Sequence, residues 1–188
     1  MDYRGLNKVL ILYRYPLPLM NELRDHFGGS TIFTKLDLMS GYNLIWIQEG
    51  DEWRTAFRAR YSHLEYLVMP FGLANMPATF QNMMNEIFKD MIDLGVVIYL
   101  DDISIYSENE ADHIALVKQV LSRLPEYKLA ITHKKCESHK SRVNFLGYII
   151  LADGMEMDQE KIKTVLEWDA PETLKYIQSF LGFANSYR

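Results

Sequence analysis

The chain has 188 residues, 48% hydrophobic and 24% charged, which excludes a disordered or fibrous protein and gives one domain of ordinary size with a real core. A net charge of −5 counts against simple phosphate binding, which uses a basic face, unless divalent cations neutralise the carboxylates. The single cysteine, Cys136, excludes an internal disulfide and fits an intracellular setting, and the central apolar run 94–100 is too short to span a membrane.

Tyr15-Pro16-Leu17-Pro18 reads as an extended entry, because two prolines fix φ and remove donors. Helical spacing predicts a helix from Met20 to Phe27, stopped by Gly28-Gly29. Alternation predicts a strand over Thr31–Leu38, broken at Ser40-Gly41 and resumed at Leu44–Ile47. Thr55–Tyr61 and Leu64–Val68 form a predicted hairpin around Ser62-His63. Pro77 suits a first helical turn, and Phe80, Met83, Met84, Ile87, Phe88 and Met91 carry the 3.6-residue period of a helix over Ala78–Leu94. Two apolar strands follow, Val96–Leu100 and Ile103–Tyr106, with only Asp101-Asp102 between them, the length of a tight hairpin. An amphipathic helix spans Ala111–Tyr127, and Lys134, Lys135, Lys140 and Arg142 make a basic cluster that is equally a solvated loop. Val143–Leu151 is strand-like, Ala152-Asp153-Gly154 turns, and Asp158 can N-cap a helix to about Trp168. Mixed helices and antiparallel strands in this order argue an α+β fold.

The chemistry concentrates in Tyr99-Leu100-Asp101-Asp102. Adjacent aspartates repel each other and are poor β formers, so a cation would have to reward them. Hard carboxylate oxygens suit magnesium. Asp37 ends a separate apolar strand and would join the pair if the two strands are neighbours. Two metals held that way can support in-line displacement at a phosphate. The same Asp-Asp pair is also ordinary turn chemistry, and spacing alone leaves both readings open.

Taken together, the motifs resemble a known family. Asp2-Tyr3-Arg4-Gly5-Leu6-Asn7, Arg14–Pro18, Lys35-Leu36-Asp37-Leu38 with Ser40-Gly41-Tyr42, Met69-Pro70-Phe71-Gly72-Leu73, Pro77-Ala78-Thr79-Phe80-Gln81, Tyr99–Asp102, Phe145-Leu146-Gly147 and Ser179–Gly182 stand in its order. The chain resembles the reverse transcriptase of gypsy-type LTR retrotransposons and, more distantly, of retroviruses. The resemblance implies a polymerase palm, an antiparallel sheet packed on helices. Partial fingers would lie at about 1–36 and 50–80, interleaved with the palm, and 155–188 would lead toward a thumb that the chain does not reach. It implies an RNA-directed DNA polymerase that transfers a nucleotide from a dNTP to a primer 3′-hydroxyl on an RNA or DNA template. Two Mg2+ ions would serve, with Mn2+ as a substitute. Other Pol regions, RNase H and integrase, would belong to the parent polyprotein, working in a cytoplasmic particle or the nucleus, with no membrane partner.

The same resemblance implies roles by position. Asp37 and Asp101 would bind both metals, the Leu38 carbonyl would complete one site, and Asp102 would be the third carboxylate. Tyr42 would lie under the incoming sugar and clash with a 2′-hydroxyl, where a core tyrosine is the plainer alternative. Ser40 and Gly41 amides would approach the triphosphate, and Phe71 and Gly72 would lie against the nucleotide. Arg4 would contact template, and Leu146-Gly147-Tyr148 would grip the primer end. Lys135 is the candidate general acid for pyrophosphate, with Lys134 as its alternative.

The chain also departs from the family. Val9–Leu12 replaces a more polar stretch, Met39 and Trp46 stand where basic residues are common, Leu44 where glutamine is common, and Ala74 and Met76 flank Asn75. The basic residues that clamp the triphosphate would lie before Asp2. These departures motivate an alternative, a catalytically silent remnant that acts at most as a nucleic-acid or protein binding module. Primer extension separates the two. A DNA-directed polymerase is a third reading, which the Pro-Phe-Gly and Tyr-Leu-Asp-Asp contexts disfavour.

Overall fold

The computed structural model describes residues 2–19, 26–39, 41–168, 170 and 173–185. The helix expected over Met20–Phe27 lies largely outside them. The described elements are α1 (Arg4–Asn7), β1 (Ile32–Asp37), β2 (Phe57–Ala59), β3 (Ser62–Leu64), α2 (Met76–Phe88), β4 (Val96–Tyr99), β5 (Asp102–Ser107), α3 (Glu110–Glu126), β6 (Glu137–Lys140), β7 (Arg142–Phe145), β8 (Tyr148–Leu151), β9 (Gly154–Met157), α4 (Gln159–Leu166) and α5 (Leu174–Asn185). The expected α+β class, antiparallel sheets packed on helices, is what forms.

The central sheet has the order β4-β5-β1-β6, with every pair antiparallel. Its two faces bury different cores. Leu36, Ile98, Ile103 and Ile105 face α2 and α3 and join Phe80, Met84, Phe88, Val120 and Leu124. Phe33, Val97 and Tyr106, on the opposite face, pack against Val143, Phe145 and Ile150 of the β7-β8-β9 sheet. A sheet apolar on both faces needs a cover on each side, and the helices and the small sheet supply them.

Local chemistry fixes the helix ends. Pro77 sits in the first turn of α2. At the other end Arg123 donates to the Ile87 carbonyl at 3.1 Å and forms a two-pronged pair with Asp90, covering carbonyls that a helix leaves unpaired. Asn109 caps α3 by accepting from the Asp112 N–H at 3.0 Å. Asp158 caps α4 as expected, accepting from the Glu160 N–H at 3.0 Å.

Several expectations need correction. The connection between β4 and β5 is Leu100-Asp101, not Asp101-Asp102, because Tyr99 pairs with Asp102. Leu36, Ile98, Ile103 and Ile105 pack in register and draw Asp102 into the strand. Helix α2 ends at Phe88, six residues short of Leu94, and Asp93 at φ 65° and Gly95 at φ 108° turn the chain into β4. The expected strand Leu44–Ile47 is a 3-10 turn over Gly41–Leu44 and then a single bridge, Trp46 to Val68. The β2–β3 hairpin turns at Arg60-Tyr61 and not at Ser62-His63. The strand-like run Val143–Leu151 is two strands joined at Leu146-Gly147.

Candidate active site

Strand β1 has two side-chain rows. Leu36 points into the helix-covered core, while Phe33, Lys35 and Asp37 share the other face. Register pairs Asp37 with Asp102 across the β1–β5 ladder, so two carboxylates from distant parts of the chain meet at the sheet edge. Asp101 occupies the adjoining turn, where its carbonyl accepts from the Leu38 N–H at 2.8 Å. The strand neighbourhood on which the three-carboxylate reading depended is therefore present.

The turn that carries Asp101 is strained. Leu100 has φ 53°, a conformation that costs a branched side chain roughly 1–2 kcal/mol. Gln81, fully buried on α2, holds it: its Oε1 accepts from the Leu100 N–H at 2.8 Å and its Nε2 donates to the Ile98 carbonyl at 3.0 Å. Asn85 accepts from the same Nε2 at 2.8 Å and donates to the Tyr15 hydroxyl at 3.0 Å. A polar line thus runs from the Pro16–Pro18 entry to the hairpin.

Two lysines meet the carboxylates. Lys35 Nζ lies 3.2 Å from Asp102 Oδ1, with the two side chains 18% and 19% exposed. Lys135 Nζ lies 3.4 Å from Asp37 Oδ2 and is largely exposed. Lys135 reaches the site because Thr132 N–H donates to the Asp37 carbonyl at 2.8 Å and the 3-10 turn His133–Lys135 follows directly. Burial pushes the Asp102 carboxyl up; Lys35 pulls it down, and Asp101 and Asp37 add to the rise.

Tyr42 borders this cluster. Its ring packs 4.6 Å from Phe80 and 5.5 Å, edge-on, from Phe71. Burial, then the charges of Asp101 and its neighbours, push its phenol up to about 12, so it stays neutral. The ring is both a core contact and a lining of the site. Gly41 is buried against Phe80; a Cβ there would lie 2.5 Å from Phe80 Cζ. Phe71 is 63% exposed, and Gly72 follows at φ 98°. Ser40 lies outside the described residues.

The remaining expected residues stand apart from the carboxylates. Arg4 is exposed and paired with Asp2 at 2.6 Å. Its helix docks on the Phe71 loop, where Asn7 donates to the Gly72 carbonyl at 2.8 Å. Leu146 and Gly147, with φ 53° and 85°, form the two-residue turn of β7 and β8, and Phe145 pairs with Tyr148.

Among the described residues, no three His, Cys, Asp or Glu side chains are gathered to hold a metal as they stand. The outer two carboxylates turn toward lysines instead. The donor chemistry still fits a hard divalent cation. Three carboxylates occupy adjoining backbone positions, and Asp102 Oδ1 is buried with an ion pair but no well-formed hydrogen bond.

The sequence reading missed three contributors. Gln81 was visible as a polar residue four before Asn85 within an apolar helix, and Lys35 as the i−2 neighbour of Asp37 on one strand face. Phe80 gave no sign of its role beyond helical periodicity.

A carboxylate pair across one ladder, a third aspartate in the adjoining turn, and an aromatic wall beside them are what comparison with known proteins can now be set against. Residues 1–150 match the family model for reverse transcriptase (RNA-dependent DNA polymerase). Over 188 residues the chain is 45% identical to the transposon Tf2-3 and Tf2-7 polyproteins of Schizosaccharomyces pombe, all of this chain but 14% of each relative. The chain thus spans about one-seventh of the curated relatives' length. Among solved structures it is similar to the foamy viral protease-reverse transcriptase in complex with an RNA/DNA hybrid (TM-score 0.87, 27% identity, 100% of this chain and 25% of that one). A form of that protein in complex with double-stranded DNA matches at TM-score 0.90 and 27% identity, over 100% of this chain and 33% of that one. With four-fifths of its length inside that family model, the chain belongs to the reverse transcriptase (RNA-dependent DNA polymerase) family.

Proposed function

We propose that this chain is the polymerase core of a gypsy-type LTR retrotransposon reverse transcriptase, adding deoxynucleotides to a primer 3′-hydroxyl on an RNA or DNA template. The observation that carries the reading is the cross-strand pair Asp37–Asp102 with Asp101 in the adjoining turn. Relatedness to transposon polyproteins and likeness to a reverse transcriptase held on nucleic acid support it.

Asp37 and Asp101, with the Leu38 carbonyl and Asp102 alongside, would hold two magnesium ions, which when bound supply Lewis-acid stabilisation of charge on the reacting phosphate. The chain's own groups do the rest. The hairpin held by Gln81 fixes where Asp101 stands. The neutral Tyr42 ring, which packs on Phe80, would bound the sugar and exclude a 2′-hydroxyl. Ser40 and Gly41 amides receive the triphosphate, and Phe71 and Gly72 cover the nucleotide. Lys135, tethered through Thr132 beside Asp37, would give a proton to departing pyrophosphate. Arg4 contacts template, and the Leu146-Gly147-Tyr148 turn supports the primer end. RNase H and integrase regions belong to the longer polyprotein of which this is a part, and particle or nucleus is its place of action.

Primer extension with magnesium tests the reading, on RNA and DNA templates. Template-dependent incorporation that falls by about a thousandfold in Asp101→Asn supports it. No incorporation by the folded chain, assayed within its polyprotein context, leaves the silent binding module as the better account.

A further inference from the structure

Lys35 is used by nothing in the mechanism above, yet it is held close to the carboxylates. On its face of the sheet, Asp37 lies two residues along β1, Ser104 sits directly across on β5, and Glu137 across on β6. Asp102 is the diagonal neighbour, within reach of a long side chain. Of the two carboxylates that flank it across the ladders, the ammonium pairs with Asp102, at 3.2 Å. Asp102 Oδ1 and Ser104 Oγ are both buried without a hydrogen bond, and both adjoin Lys35. Lys135, by contrast, is largely exposed and can swing away from Asp37.

We propose that Lys35 is the resident counter-ion of Asp102, a positioning residue that offsets one charge of the carboxylate cluster before a divalent cation arrives and then competes with that cation. The inference rests on the reading that Asp37 and Asp101 take divalent metal. A half-buried carboxylate without a partner is costly, so Lys35 lets the sheet edge fold free of metal. The same fixed positive charge, held on the neighbouring Asp102, would oppose any cation held by Asp101 and Asp37. Lys35 therefore trades metal affinity for a stable metal-free fold.

The test uses Mn2+ as the probe, followed by its electron paramagnetic resonance signal, together with thermal unfolding in EDTA. Lys35→Met is expected to bind Mn2+ about three- to tenfold more tightly than wild type, because a like charge has gone. Its metal-free Tm is expected to fall by about 3 °C or more. Lys35→Arg keeps the charge and stays within about twofold of wild type. In Lys35→Met/Asp102→Asn the orphaned charge is gone, and the metal-free Tm returns toward wild type. Mn2+ affinity that is unchanged or weaker in Lys35→Met overturns the inference alone, as does a double variant that shows no recovery. A wild-type protein that binds no Mn2+, or binds it equally well as Asp37→Asn and Asp101→Asn, overturns the metal reading itself and the inference with it.

Discussion

The Leu100 N–H donates to Gln81 Oε1 at 2.8 Å, so one side chain of α2 sets the backbone turn from which Asp101 projects. Gln81 is inaccessible to solvent, and the contact itself is part-buried at the edge of the core. It ties the geometry of the carboxylates to the packing of α2.

Gln81→Leu keeps the volume and removes all three hydrogen bonds, to Leu100, Ile98 and Asn85. The Leu100 N–H and Ile98 carbonyl then lose their partner, at a cost of about 2–3 kcal/mol. Urea unfolding should register that loss. Primer extension should fall further than stability predicts, because Leu100 can relax from its positive φ and carry Asp101 with it. Normal activity in a merely destabilised variant would uncouple the helix from the hairpin.

Gly41→Ala places a methyl against the buried Phe80 ring, which cannot retreat without disturbing Tyr42. The expected loss is about 1–3 kcal/mol, with a rise in KM for dNTP. Phe80→Leu in the same chain makes room, and denaturant midpoints should show partial recovery.

On the proposed function, Tyr42→Ala would open space where the incoming sugar would lie. Incorporation of ribonucleotides relative to deoxynucleotides should rise by about tenfold or more, as expected when a steric block is removed. Steady-state incorporation of paired dNTP and rNTP substrates measures it. An unchanged ratio would assign Tyr42 to the core alone.

His113 offers a pH prediction. It is buried, and Thr34 Oγ1 and Ser107 Oγ lie 2.7 and 3.0 Å from its two ring nitrogens. Ser107 Oγ donates to the Asn109 carbonyl, so it accepts from His113 Nδ1–H, and in the neutral ring Nε2 accepts from the Thr34 hydroxyl. Burial, then the nearby His139, hold its pKa below the usual histidine value. Between the lowered folded pKa and the ordinary value near 6.5, the unfolded chain binds the proton and the folded chain does not. Stability is thus fully present above about pH 6.5 and is lost as pH falls through that window. Denaturant midpoints at about pH 7.5 and pH 5.5 should diverge in wild type and converge in His113→Gln.

Much of this was legible before any coordinates. The alternation that ends at Asp37, the apolar period of α2 and the Asp158 cap all follow from local rules, and the structure keeps them. The turn at Leu100-Asp101 was not legible, because turn preference favours Asp-Asp over Leu. Cross-strand packing of Ile98 on Ile103 outweighs that preference and moves the turn one residue back. The segment after Gly41 was misread as strand for a related reason. Leu44 and Ile45 look like strand residues, yet they pack with Tyr42 onto the edge of the helix-side core through a tight 3-10 turn. Lys135 was named from the resemblance, but which carboxylate each lysine meets was not legible, because pairing across β1, β5 and the Thr132 loop is a property of register, not of composition.

The alternating rows of β1 carry one last consequence. Phe33 and Asp37 hang from the same side of one six-residue strand, so the residue that seats it on the small sheet and the carboxylate of the candidate site share a parity. A slip of one position would bury Asp37 beneath α2 and expose Leu36 where the carboxylate should be. The register that seats β1 on its two cores is thus the same one that brings Asp37 beside Asp102.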